Sequence, residues 1–160
     1  MTKELNKDLT KELGKELGKE FDKDQPSLIK TNTAKMNLAK VEAQYLEAMK
    51  QAVIDAIEDI KGFDITAMDV RKLTSLTNYM IVASATSTRQ AKAIADNVRE
   101  KMKEKGYHIS GTEGEKEGEW VLVDLGDIVV HIMVPATRAY YNLEQLWTEG
   151  EARRSHIKAL

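Results

Sequence analysis

No cysteine occurs in the chain. Its absence excludes a disulfide scaffold, a thiolate zinc site and a cysteine nucleophile. Proline is scarce, with Pro26 and Pro135 alone. No apolar run approaches the ~20 residues of a membrane helix, so no membrane partner is expected. An acid-poor start is missing too. Lys and Glu alternate from Lys3 onward, so neither a secretory signal nor a transit peptide is expected, and the expected compartment is the cytoplasm. Nor does one sign of charge dominate. The net charge of −2 argues against a protein that coats nucleic acid, and no direct sequence-specific nucleic acid binding is expected.

What is present is enough for one domain with something left over: 160 residues, 42% of them hydrophobic. The composition divides into a charged extension and linker at 1–36, a folded domain at 37–148 and a C-terminal tail at 149–160. Charge is uneven along the chain. Residues 113–127 carry Glu113, Glu115, Glu117, Glu119, Asp124 and Asp127 against Lys116 alone. That surplus repels phosphate and attracts basic protein surfaces. A merely solvated loop would look the same.

Residues 3–22 repeat a four-residue unit, KELN, KDLT, KELG, KELG, KEFD. A four-residue step overshoots a helical turn by about 40°, so Leu5, Leu9, Leu13, Leu17 and Phe21 smear around the helix. Gly14 and Gly18 weaken it by about 1 kcal/mol each. A fraying or disordered segment is expected, with a docking helix as the functional alternative. Residues 24–33, with Pro26, look like a linker.

From Leu38 the spacing of Val41, Tyr45, Met49, Val53, Ala56, Ile57 and Ile60 predicts a helix, with Asn37 as N-cap and Gly62 as stop. Ile65 to Val70 reads as a strand. The continuous run Tyr79 to Ala83 reads as a strand buried on both faces. Ser87 with Gln90 forms a capping-box pattern that opens a helix ending before Gly106. Residues 111–119 read as a loop. Residues 120–124 and 128–134 read as strands of a tight antiparallel hairpin. Pro135 ends the sheet, and Arg138 to Trp147 reads as one last helix with Tyr140, Leu143 and Trp147 on one face. The order α-β-β-α-β-β-α predicts an α/β (α+β) domain with a mixed sheet of about four strands and packed helices.

Catalytic chemistry leaves little trace. There is no nucleophile elbow and no phosphate-binding glycine loop. His108, His131 and His156 have no ligand spacing, so no metal site is expected. His131 sits inside a strand, where a hydrogen-bonded structural imidazole is the simpler reading than an acid or base. Asp124 and Asp127 flank a tight turn, which explains both without a cation. The helix start at Ser87, with Arg89, could hold an anion, although a capping pattern alone is common. Trp120 lies beside the acidic stretch, as an interface anchor would. The residues alone therefore predict a binding module for a basic partner, with no catalytic residues and no cofactor.

Six ordered segments go further. They are Leu76-Thr77-Asn78-Tyr79, Ser87-Thr88-Arg89-Gln90, Ile94-Ala95-Asp96, Glu113-Gly114-Glu115 with Glu119-Trp120, Val123 through His131, and Arg138 through Trp147. Over some 95 residues, Val53 to Trp147, the chain resembles the Iojap-like family of ribosome silencing factors. That family often has Asp where this chain has Asn78, and the repeat at 3–22 lies outside the resemblance. The resemblance implies a nucleotidyltransferase-like fold and a non-enzymatic role. It implies binding to the large ribosomal subunit through the ribosomal protein numbered fourteen, a block on joining of the small subunit, and repression of translation under nutrient limitation. A homodimer is a further partner it allows. The residues expected to face the ribosomal protein are Tyr79, Glu113, Glu115, Glu119, Trp120, Asp124, Asp127 and His131. The competing expectation is a nucleotide-binding or nucleotidyltransferase-like regulator. The chain lacks the Gly-Ser pair such enzymes use, and its only Asp-x-Asp, at Asp22 and Asp24, lies in the extension.

Overall fold

The computed structural model describes the backbone of residues 27–159 and the side chains of residues 33–150 and Arg153. The repeat at 3–22 and the start of the expected linker lie outside the described residues. Contacts divide the chain into two compact units, residues 1–42 and 43–160, and the sheet lies wholly in the second. Helix α1 spans Ser27–Asp59. It begins ten residues before the expected cap at Asn37, because Thr and Asn inside a helix cost only tenths of a kcal/mol.

The inward face of α1 starts at Met49 and runs through Ala52, Val53, Ala56 and Ile57, all buried. Its exit is a Schellman turn. The Lys61 amide donates to the Glu58 carbonyl at 2.9 Å and the Gly62 amide to the Ile57 carbonyl at 3.0 Å. Lys61 takes the left-handed conformation, φ 65°. The helix thus stops at left-handed Lys61, one residue before the expected stop at Gly62, and glycine is needed at 62 for want of space. A Cβ there would lie 2.3 Å from Ile57 Cγ2.

Strands β1 (Phe63–Asp69) and β2 (Tyr79–Ser84), helix α2 (Thr88–Glu104), strands β3 (Gly111–Glu113), β4 (Trp120–Asp124) and β5 (Ile128–Met133), and helices α3 (Pro135–Tyr141) and α4 (Leu143–Ala159) follow. The sheet order is β1-β2-β5-β4-β3. Only β2 and β5 are parallel; the other pairs are antiparallel. This is the expected α+β fold with a mixed sheet, but with five strands instead of about four. The added strand, β3, lies in the stretch read as a loop. Two of its three residues, Gly111 and Glu113, have little β-propensity of their own, and the pairing partner β4 fixes the strand.

Alternation sets the two faces. Ile81, Ala83, Val121, Val123, Val130 and Ile132 join α1 and α2 in the larger core. Met80, Val82 and Met133 point the other way, where Leu143 and Trp147 of α4 pack beside Trp120. Burying one such aliphatic side chain is worth roughly 1.5–3 kcal/mol. Helix α2 contributes Ala91, Ile94, Ala95, Val98 and Met102, one stripe at helical spacing. Ser87 Oγ accepts from the Gln90 amide at 3.1 Å. Gln90 Oε1 accepts from the Thr86 amide, one residue beyond the reciprocal partner of a capping box. Its Nε2 donates to the Ile60 and Lys61 carbonyls, which ties the end of α1 to the start of α2.

The C-terminal region departs from the sequence reading. The single helix expected over 138–147 is two helices, broken at Asn142, whose φ 47° and ψ 54° are left-handed. Asn tolerates that conformation better than most residues. The break separates Tyr140, 82% exposed, from Leu143 and Trp147, which pack on the sheet. Residues 149–159, read as a tail, continue α4. Among the described residues, no helix is long and apolar enough to cross a membrane.

Candidate functional site

The register of β3, β4 and β5 collects half of the expected site on one sheet face. Glu113 pairs with Leu122, and Leu122 with His131. Trp120 and Asp124 lie two residues either side of Leu122, so they share its face. Glu119 is exposed immediately before β4. Its carbonyl accepts from the Val134 amide at 3.1 Å.

Trp120 and His131 act as a unit. The indole Nε1 donates to His131 Nδ1 at 2.9 Å. With Nδ1 accepting, the neutral ring carries its proton on Nε2, a buried nitrogen with no partner. His131 is 5% exposed, and burial lowers its pKa to about 4. It is therefore a neutral prop beneath Trp120 and offers little surface itself.

Trp120 also begins an aromatic ladder that sequence reasoning missed. Its ring lies 4.8 Å from that of Tyr141, and Tyr141 lies 5.0 Å from Tyr140. Tyr141 is 54% exposed. Trp120 and Tyr141 are far apart in sequence, and the turn at Asn142 is what aims the tyrosines. Arg138 seats that turn. Its guanidinium donates to Ser84 Oγ at 2.8 Å, the Asp64 carbonyl at 2.6 Å and Thr66 Oγ1 at 3.2 Å, and pairs with Glu144 at 2.6 Å.

Tyr79, Asp127 and Glu115 lie elsewhere, and Asp124 sits at the far end of the shared face. Tyr79 packs against the larger core on the opposite face, with Lys50 Nζ 5.3 Å and Arg71 5.5 Å from its ring centre. Arg71 is in turn bound by Asp69, and this hydrogen-bonded pairing holds the Asp69 carboxyl below its usual range. Asp124 Oδ1 accepts from the Gly126 amide at 2.8 Å. Asp127 Oδ1 accepts from Asn78 Nδ2 at 3.0 Å, and its carbonyl accepts from the Asn78 and Tyr79 amides. Both carboxylates thus shape the β4–β5 turn, and Asp127 joins it to the start of β2. Glu115 faces α2 and pairs with Arg99 at 2.7 Å. Among the described residues, no three His, Asp or Glu converge as a metal site would require.

The arrangement is an open surface: an aromatic ladder at one end of the sheet face, with Glu113 and Glu119 on the neighbouring strand and strand end. It suits docking against a surface with apolar and basic groups.

Comparison with known proteins points the same way. Residues 43–159 match the model of a family described as "Ribosomal silencing factor during starvation". The chain is 54% identical over 102 residues to "Ribosomal silencing factor RsfS" of Chromobacterium violaceum, covering 64% of this chain and 84% of that protein. It is 39% identical over 95 residues to the Bacillus subtilis protein of the same name, covering 59% and 80%. It is also 38% identical over 92 residues to "Protein Iojap, chloroplastic" of Zea mays, covering 58% and 40%. A crystal structure of a Chromobacterium violaceum protein superposes with a TM-score of 0.63 at 53% identity, covering 64% of this chain and 86% of that one.

Proposed function

The chain belongs to the family of ribosomal silencing factors, and from that premise we propose that it binds the large ribosomal subunit through the ribosomal protein numbered fourteen. Bound there, it blocks joining of the small subunit and lowers translation when nutrients are limiting. The observation that carries this reading is the span of the family match, residues 43–159, which takes in the whole sheet and the aromatic ladder. The action is steric and occurs in the cytoplasm; no bond is made or broken.

On this reading the apolar anchor is Trp120 with Tyr141 and Tyr140. A desolvated aromatic at an interface centre can be worth 2 kcal/mol or more. Glu113 and Glu119 lie nearest this anchor, Asp124 and Asp127 extend the negative charge to the β4–β5 turn, and together they steer a basic partner and set the salt dependence. Tyr79 flanks the turn that Asp127 holds, His131 fixes the indole, and Glu115 acts within the acidic loop.

The test is a sucrose gradient of dissociated subunits rejoined with and without excess protein. The joined peak is expected to shrink, and Trp120→Ala is expected to restore it. An undiminished joined peak at saturating protein overturns the reading.

A further inference from the structure

Residues 112–118, the first part of the acidic stretch, are fastened to α2 at several points. Strand β3 makes only three pairs with β4 and lies at the edge of the sheet. A strand that short is marginal by itself. Arg99 spans the gap from α2. Its guanidinium pairs with Glu115 at 2.7 Å, reaches Thr112 Oγ1 at 3.4 Å and pairs with Asp96 of its own helix. Two turns earlier, Lys92 Nζ donates to the Lys116 carbonyl at 3.1 Å. At the far end Gly118, φ +76°, passes so close to α2 that a Cβ would lie 2.9 Å from the Thr88 carbonyl oxygen. Thr88, Lys92 and Arg99 thus meet residues 118, 116 and 112–115 in reverse order, like a clasp.

We propose that Arg99, assisted by Lys92, is a positioning residue for the docking face: it latches the 112–118 segment to α2 and so presents Glu113 in register with Leu122 and Trp120. The inference rests on the function proposed above, and it is separable from it. Its consequence has a sign that charge alone would reverse. Arg99→Gln removes a cation from an acidic surface, so by charge alone a basic partner should bind more tightly. By positioning it should bind less tightly, because the segment must be ordered at the moment of binding.

The experiment measures two quantities on the full-length protein: amide hydrogen exchange in the free protein, and affinity for purified large subunits across a salt series. Arg99→Gln is expected to speed exchange at 112–118 by about tenfold or more while the β2 and β5 amides keep their protection. Affinity is expected to fall by about three- to fivefold, the scale of one partly exposed ion pair and its hydrogen bonds. Lys92→Gln, which leaves Thr112 and Glu115 untouched, is expected to speed exchange of the same amides and guards against a general folding defect in the first variant. Unchanged exchange in both variants overturns the latch, and so does tighter binding by Arg99→Gln. If the unmodified protein does not bind large subunits, the functional reading fails, while the exchange result still decides the latch.

Discussion

His131 and Trp120 show how one part-buried hydrogen bond fixes a half-buried aromatic. The indole donates to Nδ1, so protonating the ring would remove that acceptor and bury a charge. Burial accordingly lowers the His131 pKa from 6.5 to about 4. The unfolded chain then binds this proton more readily than the folded one, and stability rises with pH between about 4 and 6.5. The stabilisation is full above pH 6.5 and fades as pH falls, by about 3 kcal/mol at most. Urea unfolding at pH 7.5 and 5.5 is expected to show the loss, and His131→Asn, which cannot titrate, is expected to show a smaller one. Equal losses in the two proteins would contradict the assignment. Asn78 offers a second residue-scale test with the opposite sign. It donates to the Asp127 carboxylate. Asn78→Asp would set two carboxylates against each other and raise one pKa. The variant is expected to be about 1–3 kcal/mol less stable at pH 7.5, and the deficit is expected to shrink as pH falls toward 4.5.

At the scale of elements, what the sequence revealed depended on whether the determining partner was local. The run Tyr79 to Ala83 is legible because a strand covered on both faces is apolar throughout. Helix α2 is legible from its stripe and its cap. Strand β3 is not, since Gly-Thr-Glu becomes a strand only by pairing with β4. The break at Asn142 hides inside an apolar pattern that continues across it. The charge of the acidic stretch was visible, but not that Glu115 is engaged by Arg99 or that Tyr79 and Trp120 occupy opposite faces. The end of α1 gives a paired prediction. Gly62→Ala places its Cβ against Ile57 and is expected to cost about 1–3 kcal/mol. Lys61→Gly, one residue earlier, relieves a left-handed lysine and is expected to stabilise by about 0.5–1 kcal/mol. Thermal melts of the two variants should shift in opposite directions; a shared direction would mean the turn is misassigned.

At the scale of the whole molecule, the family match takes in the sheet and leaves out the N-terminal residues 1–42. The matched span begins at residue 43, and the inward face of α1 begins at Met49. Among the described residues, every buried member of both cores lies at or beyond Met49. A chain starting at Asn37 therefore retains all of this described apolar burial, and more than 100 residues suffice for a core of ordinary size. It also retains the aromatic ladder, the neighbouring carboxylates and the α2 clasp. Removing residues 1–36 is thus expected to leave unfolding cooperative, to shift the melting temperature by only a few degrees, and to leave the block on subunit joining intact. Any affinity contributed by Leu5, Leu9 and their repeats would register as a modest loss in binding with no change in melting. A fall of about ten degrees corresponds to about 2 kcal/mol in a domain of this size. A loss that large would mean that residues 1–36 pack on the core and that the boundary at Asn37 is misplaced.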